Sequence, residues 1–411
     1  MDKQVILAGR LVDVAAGEIV EDVAVVVQGD LVQAVVPAAE APEGTRIDLS
    51  GSTVAPGLID CHAHMVGNLD DGHGYAGLVM SSAAQEVLTG VRNARDTVMA
   101  GFTTVRDVGT FRAFADCALR DAIDRGWTPG PRMSCAGAYV TCPGGGGDVT
   151  GLAVDVDAAV PRELRFGVAA NVAEARDAAR RILHGGADFI KVIATGAVMT
   201  EGTNPGAPEF SEEELRAIVE EAALYGTWVA AHAHGAEGIK RAIRAGVRSI
   251  EHGSLMDDEA IAMMAEHGTW LVADIYCGDW IAEQGRAQGW SPNVLRKNDE
   301  TTDAQREGFE KAVAAGVKIA YGTDSGIYPH AMVGRQLRYM VRHGMTPIQG
   351  LQAASIRAAE LMGWQDRVGS VAPGMLADLI AVDGHDIGDL SVFEQVAFVM
   401  KGGEVLRGVS R

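Results

Sequence analysis

The chain has 411 residues, 47% of them hydrophobic, and a formal net charge of −20. That is enough apolar material for a large core, yet no apolar run reaches the roughly 20 residues that a bilayer span requires. The acidity excludes nucleic acid as a partner, because phosphate is bound by basic surfaces, and leaves neutral or cationic small molecules favoured. The opening MDKQVILAGR has no extended apolar segment followed by a small-residue cleavage site, so a cytoplasmic location without membrane attachment is expected. Cys61, Cys117, Cys135, Cys142 and Cys277 form no CxxC pair and are odd in number, so all five are expected as free thiols.

In chain order, residues 4–50 alternate short Val/Ile-rich runs with turn signals, which predicts small antiparallel strands. From residue 54 strand-like and helix-like stretches alternate. Strands are expected near 55–62, 102–107, 131–139, 187–193, 227–232, 247–252, 269–274 and 317–323. Between the later ones lie Glu212–Tyr225, Glu237–Ala245, Asp257–His267 and Gln305–Ala315, with apolar positions three and four apart. Such alternation builds parallel βαβ units, and eight of them predict an α/β fold closed as a (β/α)8 TIM-like barrel. Residues 369–409 return to short strands. Neither end has the apolar length for its own core, so residues 1–54 and 365–411 are expected to form one composite β-sandwich, with the barrel of residues 55–364 inserted between them.

Six residues stand at or just beyond the ends of these strands: His62, His64, Lys191, His232, His252 and Asp324. Barrel chemistry sits at the carboxyl ends of the strands, which is where all six fall. His62 and His64 share one face of a strand because side chains alternate, so one ion can take both rings. An HxH pair alone is weak evidence, and a lone lysine at a strand end is usually one that snorkels to solvent. Together, four imidazoles, a carboxylate and a lysine carboxylated by carbon dioxide could hold two divalent metal ions, which points to a hydrolase. Asp60 and Glu251 flank ligands but lie on the opposite strand face and are not assigned. Tyr139–Asp148 (YVTCPGGGGD) is read as a mobile loop over the site, with no GK[ST] to make it a phosphate loop. Tyr276, His330 and Arg335 lie beyond strands seven and eight. His330 is the strongest of these substrate-contact candidates, and Arg335 is the weakest.

The stretches APGLIDCHAH (55–64), GFTTVRDVG (101–109), DFIKVIATGAV (188–198), VAAHAHGAEGI (229–239), SIEHG (249–253), YGTDSG (321–326) and GSVAPGMLADLIAVDG (369–384) resemble the amidohydrolase superfamily. They resemble in particular its prolidase-like dipeptidases and carboxypeptidases, related to imidazolonepropionase. The resemblance implies that His62, His64 and Asp324 bind the more buried ion, His232 and His252 the more exposed one, and carboxylated Lys191 both. Zn2+ is the first choice, and manganese or cobalt suit the same donors. It further implies a water made acidic by the ions, with Asp324 as general base and then acid, and His234, Tyr276 and His330 as substrate contacts. The implied reaction is amide hydrolysis in a dipeptide or N-acyl amino acid by a homo-oligomer. Alternatives are another amide, cyclic amide or carbamate (an ochratoxin-type amide hydrolase), a mononuclear deaminase using His234 and Glu237, and, ranked lowest, a non-catalytic scaffold.

Overall fold

The structure, a computed structural model, describes residues 3–67, 77–384 and 386–408. Leu58–Ala63 pairs in parallel with Phe102–Asp107, which pairs with Arg132–Cys135. The third strand breaks at Ala136–Ala138, where Gly137 takes a positive φ of 73°, and resumes as Tyr139–Val140. From there Ile190–Ile193, Val229–Gly235, Ser249–Leu255 and Trp270–Val272 follow in parallel register. The expected eighth strand is irregular. It is attached to its neighbours by isolated parallel bridges, Leu271 to Ile319 and Ala63 to Ser325, and by the Cys61 N–H donating to Tyr321 O at 2.8 Å. These contacts complete the ring of the expected (β/α)8 barrel.

Helices on the outside begin where side chains can cap them. Ser82 and Ser211 form capping boxes with Gln85 and Glu214, starting Ala83–Met99 and Glu212–Leu224. Ala236–Ala245 and Asp258–His267 match the expected helices closely. The fourth expectation, Gln305–Ala315, is only the end of Pro292–Ala314. Its first half lacks an apolar stripe because its inward face is polar: Lys297, Asn298, Thr301 and Gln305 are all buried.

The two ends of the chain meet in one seven-stranded sheet. Its order runs from Glu404–Arg407 through Phe398–Lys401, Leu379–Asp383, Thr45–Pro56, Lys3–Asp13 and Glu18–Gln28 to Leu31–Pro37. Not all pairs are antiparallel, as the turn signals suggested: Lys3–Asp13 and Thr45–Pro56 run parallel, because an intervening hairpin carries the chain back. The sheet rolls on itself, with the Val32 N–H donating to Met375 O at 2.9 Å. It encloses Ile6, Leu11, Val25, Leu49, Leu379 and Phe398 as its own core. At Gly57 the chain leaves this sheet for the barrel. A Cβ there would fall 2.2 Å from Thr103 Oγ1, so only glycine fits the crossing. Among the described residues no helix is long and apolar enough to cross a membrane.

Phe102 is fully buried and stacks on Tyr321 at 5.3 Å between ring centroids, under the barrel floor. Phe102→Ala should therefore cost about 3–5 kcal/mol, read as a lower denaturant midpoint. Leu88→Ala, at a side chain 68% exposed, should stay within about 0.5 kcal/mol of wild type.

Candidate functional site

At the carboxyl ends of the strands a cavity of about 210 Å³ is lined by His62, His64, Lys191, His232, His234, His252 and Asp324. All six strand-end candidates thus reach one place. Three groups of possible ligand atoms lie there, each within 4.8 Å: His62, His64 and Asp324; His232, His234 and His252; and His252, Asp274 and Asp324, which shares a residue with each of the others. Asp324 Oδ1 is 3.4 Å from His62 Nε2 and 3.3 Å from His64 Nε2. The groups adjoin, since the His62 and His252 rings are 4.7 Å apart and those of His232 and His252 4.6 Å apart. Lys191, 1% exposed, enters the same cavity from the fourth strand.

Each imidazole is aimed by its other nitrogen. His62 Nδ1 lies 2.8 Å from Glu251 Oε2, His64 Nδ1 2.8 Å from Gly109 O, His252 Nδ1 2.9 Å from Asp274 Oδ1, and His234 Nδ1 2.8 Å from Ser254 Oγ. His232 instead spends Nε2 on Gly196 O at 3.3 Å, leaving Nδ1 for the cavity. Outer partners of this kind fix ring orientation and tautomer. Glu251 in turn accepts from Arg106 Nη2 at 2.7 and 2.8 Å, and Asp274 from Gln305 Nε2 at 2.7 Å.

Glu251 is a correction to the strand argument, which set it on the far face from His252. His252 takes a left-handed φ of 69°, breaking the alternation so that consecutive side chains both serve the site. Asp324 does the same at φ 58°. Such backbone costs on the order of 1–3 kcal/mol per residue and persists only where the surroundings enforce it. Arg106, Glu251 and Asp274 were not found from sequence. The available signal was a charged residue inside or directly ending an apolar strand run (TTVRDV, SIEHG, WLVAD).

The protonation states suit a cation. Burial, then the neighbouring His252, brings His234 down to about 3, and burial with His234 and His252 holds His232 well below the ordinary histidine range. Burial brings Lys191 down to about 8. Burial opposes ionisation of Asp324, but the bonds from His62 and His64 prevail and hold it well below the carboxylate range. Neutral imidazoles and an ionised carboxylate are the forms that ligate divalent metals. His62 Nε2 is fully buried and makes no well-aligned hydrogen bond among the described residues, Asp324 Oδ1 at 3.4 Å being a long contact, so an ion between the two would satisfy both atoms.

Other candidates stand apart from the cavity. Tyr276 packs its ring on Tyr328 and Tyr339, and its hydroxyl accepts from Arg335 Nη1 at 3.1 Å. His330 is buried behind the first strand, with Nδ1 3.0 Å from Thr97 Oγ1 and Nε2 3.2 Å from His64 O, so it braces the His64 backbone. The glycine-rich segment is not the loose loop expected. Gly146 N–H donates to Glu209 Oε2 at 2.8 Å and Gly144 N–H to Asp148 Oδ2 at 2.9 Å, and Thr200 Oγ1 donates to Gly146 O at 2.6 Å. Gly146 and Gly147 themselves line the cavity.

The amidohydrolase family matches residues 53–410 of this chain. The chain belongs to the amidohydrolase family. It is similar to ochratoxinase of Aspergillus niger, 32% identical over 98% of this chain and 86% of that one. It is also similar to imidazolonepropionase of Deinococcus radiodurans, 27% identical over 94% of this chain and 90% of that one. A solved Xaa-Pro dipeptidase with methionine in its active site superposes with a TM-score of 0.89 at 38% identity, covering 99% of this chain and all of that one. The family member described here is a hydrolase acting on amide C–N bonds.

The buried Arg106–Glu251 pair under His62 generates a sharp expectation. Arg106→Met and Glu251→Leu should each cost about 3–5 kcal/mol, because each strands a buried charge. The double variant should cost less than the sum of the two. A double-mutant cycle of denaturant unfolding measures that coupling, and additive costs would show that the pair is not a unit.

Proposed function

We propose that the protein is a binuclear metal-dependent amidohydrolase that cleaves the amide bond of a dipeptide or N-acyl amino acid. The observation that carries this reading is the adjoining of two three-donor groups beside one buried lysine. His62, His64 and Asp324 would hold one divalent ion and His232 and His252 another, with carboxylated Lys191 serving both. The mixed nitrogen and oxygen donors suit zinc. A lysine brought down to about 8 is partly a free amine at neutral pH. The free-amine Nζ attacks the carbon of carbon dioxide, an N–C bond forms as one C–O π bond shifts its pair onto oxygen, one proton leaves the nitrogen, and the neutral side chain becomes an anionic carbamate.

When bound, the ions would make a water more acidic and polarise the scissile carbonyl. Asp324 is ionised and faces the cavity, so it takes the proton from the attacking water. It then returns that proton to the amide nitrogen as the C–N bond breaks and the amine departs, a role worth roughly 10²–10⁴-fold in rate. Glu251 and Asp274 keep the His62 and His252 rings turned toward this chemistry. His234, held by Ser254, lines the same space and in this reading would contact substrate. A mononuclear deaminase would leave buried Lys191 without a role. The likeness to a Xaa-Pro dipeptidase supports the dipeptide reading. The likeness to ochratoxinase, with Phe111, Ile193, Met199 and Ile281 on the cavity wall, supports an ochratoxin-type amide as the second reading.

Turnover of a dipeptide and N-acyl amino acid library, followed as free amino acid released, tests the reaction. Asp324→Asn should keep the fold by circular dichroism and lose activity by at least about 10²-fold, and full activity would remove its proton-transfer role. Lys191→Ala should lose bound metal together with activity, and short-chain carboxylates should restore part of both. Undiminished metal content in that variant would rule out the bridge.

A further inference from the structure

The long helix Pro292–Ala314 presents Asn298, Thr301, Thr302 and Gln305 to the cavity, spaced i, i+3, i+4 and i+7 on one helical face. Apart from one amide hydrogen of Asn298, their hydrogens are already used. Thr301 Oγ1 donates to Lys297 O at 2.9 Å and Thr302 Oγ1 to Asn298 O at 2.7 Å, both back along the helix. Asn298 Nδ2 donates to Gly278 O at 2.9 Å, and Gln305 Nε2 to Asp274 Oδ1 at 2.7 Å and His252 O at 3.2 Å. What this face has left is therefore mostly lone pairs: two hydroxyl oxygens and the amide oxygens of Asn298 and Gln305, against one amide hydrogen of Asn298.

The charges nearby have the same sense. Among the described residues lining the cavity, Lys191 is the one lysine or arginine, and residues 68–76 contain neither. Glu86 and Asp274 are the carboxylates there besides Asp324. Glu86 is held by Arg112 at 3.0 Å, while Asp274 sits at the inner end of the helix face beside Gln305. A carboxylate laid along this wall would meet mostly acceptors, since the helix's own Lys297 is turned to Ala197 O and Thr200 O at 2.8 and 2.7 Å instead. An ammonium group would find a complementary surface.

Building on the dipeptide reading, we infer that the amine-bearing half of the substrate lies along the Asn298–Gln305 face, so that a free amino group is a specificity determinant. The carboxylate of a dipeptide then points away from this helix. Asn298 and Thr302 are positioning residues in this assignment, since neither touches the reacting atoms.

The test compares alanyl-leucine with propionyl-leucine, which share the scissile amide and differ only in the amino group, on the metal-loaded enzyme. The alanyl compound should have the higher kcat/KM by about tenfold or more, through KM, as expected for hydrogen bonds to a charged group. Thr302→Val should reduce that preference, and Asn298→Asp, which keeps the acceptor and adds charge, should increase it. Equal cleavage of the two compounds, or a preference that neither variant moves, would overturn the assignment. If neither compound is cleaved, the dipeptide reading fails separately. Calorimetric binding of alaninamide against propionamide then decides the inference: tighter alaninamide binding that Thr302→Val weakens supports it, and equal binding overturns it.

Discussion

A carboxylate buried in the barrel interior orders the whole site. Glu251 is fully inaccessible, yet it is held ionised, because Arg106 and His62 outweigh the cost of burying it. Arg106 uses every arm of its guanidinium: Nη2 to both Glu251 oxygens, Nη1 to Ser249 Oγ at 3.0 Å, and Nε to Cys61 O at 2.5 Å. One network therefore ties the first, second and sixth strands together directly beneath the metal-ligand candidates. Replacing such a pair with hydrocarbon is often neutral or stabilising, so stability is a poor reason for keeping it. Its effect on His62 is a better one: with Nδ1 committed to Glu251, Nε2 must face Asp324.

The same logic recurs around the cavity and explains why the local backbone is irregular there. His252 and Asp324 adopt left-handed conformations, and the strand that carries Asp324 is held by isolated bridges instead of a continuous ladder. A regular strand would turn alternate residues outward. Bending at these two points brings Glu251 with His252, and Thr323 with Asp324, into one neighbourhood, Thr323 Oγ1 bonding Asp60 Oδ2 at 2.5 Å. The site gains donors at the expense of regular secondary structure, and the fully paired strands beside it supply the rigidity.

Much of this was legible in the sequence where local pattern and global fold agree. The period of apolar runs located the barrel strands, and the rule that chemistry occupies their carboxyl ends selected His62, His64, Lys191, His232, His252 and Asp324, all of which line one cavity. Three things were hidden for physical reasons. Alternation misplaced Glu251, because a left-handed residue is not encoded by any side chain a histidine carries. The first half of Pro292–Ala314 was not recognised as helix, because a helix that faces a polar cavity shows no apolar stripe. The glycine run 144–147 looked loose, whereas its glycines fit close contacts: a Cβ on Gly145 would lie 2.6 Å from Glu209 Oε2 and one on Gly147 2.7 Å from Ile193. Tyr276 and His330 show the converse, since proximity in sequence to strand ends did not bring their rings into the cavity.

The central claim is that this constellation is a two-ion centre. The most direct measurement is metal content per chain by elemental analysis on protein prepared with bicarbonate, paired with carbon-13 NMR after exchange with labelled bicarbonate. The account predicts two divalent ions per chain and a carbamate resonance that disappears when the ions are stripped. One ion per chain with no carbamate signal would contradict it.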